Sequence, residues 1–337
     1  MKDFSVNTNI NTPVQKLIDI ASSNAHLVVE YPDSTNVSIL KLVSSFLCVP
    51  KDNIGIGIGS TQILFQLPNL LEYKRAIVPV PTFWEYTTFN RLFDKEIKKI
   101  FLNANENFHI NNANLQKEIE PSDCVFLCNI NNPTSILYRK TDVLELVRNN
   151  PETHFVVDET YLLFREDFTN QSLTKEAARY DNLHVVLSFS KFFSIPGIRF
   201  GVIVSDRDTV KKYTEKFHIP YSVNPLTEIL LNNTLNDTEF IHNSRKFYRT
   251  EGVVFFNKLS RILKGRLRCY KPDGCFILAK ILTNQNSRYI KDTLRKEGCM
   301  IRGGHELTDL DETWLRFSIR SDEDNTLLLS KLDLLLQ

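Results

Sequence analysis

The sequence predicts an α/β protein: a mostly parallel, mixed sheet with helices on both faces forms a large domain, and a smaller α+β domain is built from the two chain ends. Two observations predict it. Between about residues 50 and 205, short β-rich runs alternate with helical patterns, as strands joined by crossover helices do. Beyond about residue 222 the strands thin out and a long helical stretch takes over, which marks a second packing unit.

Taken in order, the first element expected is a short amphipathic helix. Thr12 and Pro13 form its start signal, and Val14, Leu17, Ile18 and Ala21 recur at helical spacing. Seven β-rich runs follow: NIGIGIG, AIVPV, IKKIF, CVFLC, HFVVD, HVVLSF and RFGVIVS. Between them, helices are expected after Thr61, from Phe83 to Leu92, and from Thr141 in TDVLELVRNN. The asparagine-rich residues 103–114 read as a solvated loop. Past residue 222, a helical stretch from Asp237 to Leu263 leads into CFILAKI, a further helix, CMIRGG and WLRFSIR. The last helix opens on Ser321, Asp322, Glu323 and Asp324, residues suited to a helix N-terminus. The expected division is an N-terminal segment, 1–25, packing with the small domain, a large domain, 26–222, and a small domain, 223–337. No internal repeat or low-complexity linker interrupts it.

Lysine plus arginine (41) nearly cancel aspartate plus glutamate (40), so no global field draws the chain to nucleic acid or to an anionic membrane. Small molecules are the expected partners. No apolar run approaches the roughly 20 residues of a membrane span, and the N-terminus lacks a signal-peptide pattern, so a cytoplasmic protein is expected. Six cysteines are scattered without CxxC pairs, and Cys124 and Cys128 lie in a run that reads as a buried strand. Neither a disulfide framework nor a metal site is indicated.

The stretch SFSKFFSIPGIRFG, residues 188–201, places Lys191 just past a buried strand. A lone lysine at a strand end usually snorkels to solvent. Here Ser188, Ser190 and Arg199 gather hydroxyls and a guanidinium near it, as a bound phosphate needs, and Gly197 and Gly201 permit a tight backbone. A partly desolvated amine also has a lowered pKa and can condense with an aldehyde to a Schiff base. The constellation resembles the S-x-S-K-x(5)-G-x-R-x-G signature of fold-type I pyridoxal-phosphate enzymes of the class I/II aminotransferase group.

Further matches carry the resemblance along the chain. HFVVDETYLLF is similar to the family's D-E-x-Y, which implies that Asp158 pairs with the pyridine nitrogen of pyridoxal 5′-phosphate and that Tyr161 bonds its phenolic oxygen. NINNPTS resembles N-P-N-N-P-T-G and gives Asn132 the same oxygen, with Ile130 and Ser135 in place of the usual proline and glycine. In GIGIGST, a glycine-rich turn opens a helix, and the family's cofactor phosphate sits there, at Gly59, Ser60 and Thr61. PTFWEY supplies the aromatic that stacks on the ring, Tyr86 in preference to Phe83. EYPDS implies that Tyr31 reaches the active site of a neighbouring subunit in a homodimer. WLRFSIR gives Arg316 the substrate carboxylate, and CMIRGG gives Arg302 a second substrate anion. With Lys191 and Asp158, these residues form the expected site of the large, cofactor-binding domain.

Two branches of the family fit. The expected activity is transfer of an amino group from an amino acid, phosphorylated or not, to a 2-oxo acid, as in histidinol-phosphate aminotransferases. The alternative is decarboxylation of an O-phospho amino acid, as in threonine-phosphate decarboxylases of cobalamin biosynthesis. DFSVNTNINTP and RFSIRSDEDN, with Arg320, are similar to the two ends of that branch. A third reading keeps fold and cofactor as a non-catalytic binding module; the balanced charge gives it no nucleic-acid footprint.

Overall fold

The computed structural model describes residues 1–337. Seven strands form one sheet in the order Ile54–Gly57, Gly201–Val204, Leu183–Ser188, His154–Asp158, Asp123–Cys128, Arg75–Val80, Glu96–Phe101. Gly201–Val204 runs antiparallel to both of its neighbours, and every other neighbouring pair is parallel. The mixed, mostly parallel sheet is therefore the one the alternation predicts.

Parallel pairing requires crossovers, and helices Gly59–Leu70, Glu85–Leu92 and Lys140–Asn149 are among those that supply them. Every residue of Asp123–Cys128 and of Leu183–Ser188 is buried, which is why these strands read as continuous apolar runs. Their side chains alternate between two cores: Val125 and Leu127 join one, and Cys124, Phe126 and Cys128 join the other. The edge strand Glu96–Phe101 is half-exposed and carries Lys98 and Lys99, charges that discourage a further strand from pairing.

Beyond residue 222 lie helix Pro225–Leu235 and the 25-residue helix Thr238–Ile262. A second, antiparallel sheet follows, in the order Arg302–Gly303, Trp314–Ser318, Phe276–Ile281, Leu267–Cys269. Helix Ser287–Lys296 joins its strands, and helix Asp322–Leu335 opens as its sequence suggests, with Ser321 Oγ accepting from Asp324 N at 3.2 Å. The N-terminus returns to this region. Lys2–Asp3 pairs in parallel with Cys299–Met300, and Arg320 Nη1 donates to Asp3 O at 3.0 Å.

The structure differs from the sequence reading in three places. The helix expected from Phe83 starts at Glu85. Helix Pro225–Leu235 is one that periodicity does not announce, because Thr227 and Thr234 take up part of its buried face. Residues 103–114 are not a solvated loop throughout. Phe108 is buried, with ring centroids 5.1 Å from Tyr270 and 5.5 Å from Trp314, and Asn111 caps the short helix Asn112–Gln116. A single aromatic in a polar run has no period to reveal its burial.

Two stability predictions follow from contacts behind the strand ends. A Cβ on Gly201 would meet Ser60 N at 2.5 Å, Gly59 C at 2.7 Å and Leu187 O at 2.9 Å, all backbone atoms that cannot move aside independently. Gly201→Ala should therefore cost about 1–3 kcal/mol in chemical denaturation, with an unchanged m value. Glu159 is buried, accepting from Leu173 N and from the Ser172 hydroxyl, both at 2.7 Å. Burial pushes its pKa from the ordinary 4.5 up to about 7. The protonated carboxyl is thus favoured by folding; its contribution is full below 4.5 and is lost as the pH rises through about 7. Glu159→Gln keeps an acceptor for Leu173 N and should remove that part of the pH slope, measured as the difference between wild-type and variant denaturation midpoints.

Candidate active site

Open α/β sheets present their ligand sites at the carboxyl ends of the strands. At that end, Gly59 follows Ile54–Gly57, Tyr86 follows Arg75–Val80, Asn132 follows Asp123–Cys128, Asp158 closes its own strand, and Ser190 and Lys191 follow Leu183–Ser188.

Asp158 is buried. Its Oδ2 accepts from Tyr86 Oη at 2.9 Å and its Oδ1 from Thr160 N at 2.9 Å. Burial still outweighs these bonds and raises its pKa, so the carboxylate lacks a cationic partner, which the protonated nitrogen of a bound ring would provide. Tyr86 lies almost wholly inside, stacked near Phe126 with ring centroids 5.9 Å apart; Phe83 is half-buried and meets Tyr86 edge-on at 5.7 Å.

Arg316 is only 7% exposed. It donates from Nη1 to Asn132 Oδ1 at 2.5 Å and from Nη2 to Ser5 O at 2.9 Å, while its buried Nε has no partner. Antiparallel register sets Arg302 directly across from it, which brings two guanidinium-bearing residues onto one face. Arg302 Nη1 pairs with Glu306 at 3.1 Å, and Lys291 reaches the same carboxylate at 2.8 Å. A cavity of about 260 Å³ opens beside them, lined by Ser5, Lys291, Arg295, Met300, Arg302 and Glu306 among others.

Lys191 is partly buried. Burial, and then the field of Arg316, lowers its pKa, with Arg199 and Arg302 acting in the same direction. The shift favours the uncharged, nucleophilic form of the amine over its ammonium form. Arg199 has φ 51°, and its guanidinium lies over Gly59, where a Cβ would meet Nη2 at 2.8 Å; Gly59 itself has φ +77°. Helix Gly59–Leu70 has no side-chain cap, so its first N–H groups remain available to an anion. Ser188 Oγ accepts from Ser190 N at 3.3 Å, and the buried Ser190 hydroxyl has no partner. This donor set suits a phosphate, and together with the cation-starved Asp158 and the lowered Lys191 it fits a phosphorylated pyridine aldehyde.

The sequence motifs missed part of the site. The N-terminal segment threads through it: besides Ser5, Asn7 Nδ2 donates to Tyr161 Oη at 3.5 Å, and Asn9 N donates to Lys191 O at 3.0 Å. Asn7 and Asn9 are buried, and each leaves one side-chain polar atom unpartnered. The repeated asparagines in NTNIN were the available signal. Tyr31, by contrast, is 89% exposed and packs edge-on against Tyr221 at 5.5 Å. A larger cavity of about 500 Å³, lined by residues such as Arg165, Arg249 and Lys271, includes none of the expected site residues. No helix is long and apolar enough to cross a membrane.

Comparison with known proteins adds a lineage to this geometry. Threonine-phosphate decarboxylase of Salmonella typhimurium is 27% identical over 98% of this chain and 90% of its own length. Histidinol-phosphate aminotransferase of Ruminiclostridium cellulolyticum is 27% identical over 90% of this chain and 82% of its own. The crystal structure of the histidinol-phosphate aminotransferase from Clostridium acetobutylicum superposes with a TM-score of 0.90 at 25% identity, covering 99% of both chains. The sequence pattern of the family "Aminotransferase class I and II" matches residues 3–332, and the chain accordingly belongs to that family of pyridoxal 5′-phosphate enzymes.

Proposed function

We propose that this protein is an aminotransferase that moves the amino group of an amino acid bearing a second anionic group, such as a phosphate, to a 2-oxo acid. When bound, pyridoxal phosphate supplies an aldehyde for the amine and a protonated ring that delocalises the electron pair left when a bond at Cα breaks. Residues 26–222 form the cofactor domain and residues 223–337, with 1–25, the substrate domain. Gly59, Ser60, Thr61, Ser188, Ser190 and Arg199 hold the phosphate, and Phe83, half-buried where the expected Tyr86 is enclosed and bonded to Asp158, covers the ring. Asp158 keeps the ring nitrogen protonated, and Asn132 and Tyr161 donate to the phenolic oxygen. Lys191 anchors the cofactor and, once displaced by substrate, takes the proton from Cα.

The observation that carries the choice of reaction is the 2.5 Å bond from Arg316 to Asn132. It ties the carboxylate-binding guanidinium to the residue at the cofactor's phenolic edge. A carboxylate gripped there is held toward the ring plane, which leaves the Cα–H bond to face Lys191. Arg302, with Lys291 and Arg295 around the adjoining cavity, favours a substrate with a second anion. Tyr31, exposed here, serves the cofactor phosphate of a second subunit in a cytoplasmic homodimer.

Decarboxylation of an O-phospho amino acid is the second reading, and one contact favours it. The two chain ends that resemble the decarboxylase branch meet, with Arg320 donating to Asp3 O and its guanidinium 5.6 Å from the Phe4 ring. If Arg316 and Arg302 both grip the phosphate, the carboxylate is released from the ring plane and becomes the group that leaves.

Incubation with O-phosphothreonine plus 2-oxoglutarate should form glutamate; carbon dioxide released from O-phosphothreonine without keto-acid conversion would replace the first reading by the second. Borohydride treatment of the loaded protein should fix the cofactor's mass on the peptide containing Lys191, and Lys191→Ala should lose that adduct. An adduct elsewhere would refute the lysine assignment.

A further inference from the structure

The walls of the cavity beside Arg302 carry more positive charge than they balance. Lys291 and Arg295 stand four residues apart on helix Ser287–Lys296, so they share one face of it, and both line the cavity together with Arg302. Arg295 lies in the last turn, where a cation suits the helix C-terminus. Lys291 lies a turn earlier and has no such role. Glu306 is the one acidic residue of the lining. Its Oε1 accepts from Arg302 Nη1 at 3.1 Å and lies 2.8 Å from Lys291 Nζ, while its Oε2 accepts from Gly303 N at 3.0 Å. An anchored carboxylate thus gathers two cations at a single oxygen and leaves both with N–H donors to spare. The Lys291 and Glu306 side chains are only 26% and 22% exposed, so water screens the remaining positive charge poorly.

Two contacts join this cavity to the carboxylate grip. Ser5 lines it while its carbonyl accepts from Arg316 Nη2 at 2.9 Å, and Arg302 is the cross-strand partner of Arg316. A ligand held by one anion at Arg316 therefore reaches the cavity with a second over a short span. We propose that Lys291, seconded by Arg295, sets the charge class of the substrate: the cavity takes a doubly charged phosphate group and discriminates against a singly charged group of the same shape. The inference rests on the proposed binding of a second substrate anion at Arg302, and it names the residues that decide which anion that is. Glu306 is a positioning residue, holding Lys291 and Arg302 together and cancelling one of the three positive charges.

The test uses the cofactor-loaded full chain and two ligands that lack an amine and so bind without reacting, 4-phosphonobutyrate and 4-sulfobutyrate. Pentanoate is the reference without a second anion. Phosphonate and sulfonate groups are both tetrahedral, but at about pH 8.5 the phosphonate, like a phosphate ester above its second ionisation, carries roughly one charge more. In calorimetric titration, wild type should bind the phosphonate roughly tenfold or more tightly than the sulfonate, about the worth of one hydrogen bond to a charged group. Lys291→Met should weaken the phosphonate and cut the preference to roughly threefold or less, and Lys291→Arg should restore it. Arg295→Ala, at an exposed position, should cut it part of the way. Glu306→Gln keeps an acceptor for Gly303 N and should bind the phosphonate more tightly than wild type, a change opposite in sign to that of Lys291→Met. If Lys291→Met and Arg295→Ala, both melting like wild type, keep the full preference, or if wild type binds the two ligands alike, charge selection by this helix is overturned while the second-anion reading stands. If Glu306→Gln weakens the phosphonate as Lys291→Met does, Lys291 only props Arg302 and its selecting role is overturned. If wild type binds neither ligand more tightly than pentanoate, the second-anion reading fails and this inference fails with it.

Discussion

The parallel register of three central strands is the constraint on which the site depends. Cys128 pairs with Asp158, and Asp158 with Val186, so Asp123–Cys128, His154–Asp158 and Leu183–Ser188 end at nearly one level. Both faces of these strands are buried in apolar cores, and a slip of one residue would exchange the side chains of the two faces. The register is therefore fixed by burial along the whole strand. What it delivers at the far end is a set of polar side chains, Asn132, Asp158 and Lys191, raised from a rigid support onto short turns.

Around that support the charges are arranged unevenly. The whole chain has a formal net charge of +1, yet Lys191 lies in the combined field of Arg199, Arg302 and Arg316. Clustered, partly buried cations are unfavourable unless anions join them. Arg316 leaves Nε unsatisfied, and Ser190 leaves a hydroxyl unsatisfied, while Asp158 has the opposite deficit, a buried carboxylate without a cation. A ligand that carries a phosphate, a carboxylate and a protonated ring nitrogen corrects all of these imbalances together. The stability of the site and its affinity for such a ligand are thus two aspects of one electrostatic arrangement.

The first nine residues join the two units. Phe4 is held on both sides, by Phe4 N to Met300 O at 2.7 Å and Ser318 N to Phe4 O at 2.8 Å. Ser5, Asn7 and Asn9 then reach Arg316, Tyr161 and Lys191 in turn. The ladder between Lys2–Asp3 and Cys299–Met300 is only two residues long, so this strap is anchored chiefly by individual hydrogen bonds. That arrangement makes the segment a contributor to the site rather than a mere extension of the small sheet.

The fold class was legible because helical and strand periodicities alternate plainly between residues 50 and 205, and the family was legible because a lysine, two serines, two glycines and an arginine recur at fixed spacing within fourteen residues. Those are local signals, set by backbone geometry and by the donors a phosphate requires. The burial of Phe108 beneath Tyr270 and Trp314, the facing of Arg302 and Arg316, and the bonds from Arg316 to Ser5 and Asn132 had no such signal. Each unites residues that lie on different elements, and most are far apart in the chain: Ser5 and Arg316 are 311 positions apart, and Asn132 and Arg316 are 184 apart. The sequence by itself determined most of the elements, the family and its cofactor class, because these are written in short-range pattern. The tertiary structure decided which distant charges share one buried volume, because only closure of the chain removes the water that would otherwise screen them.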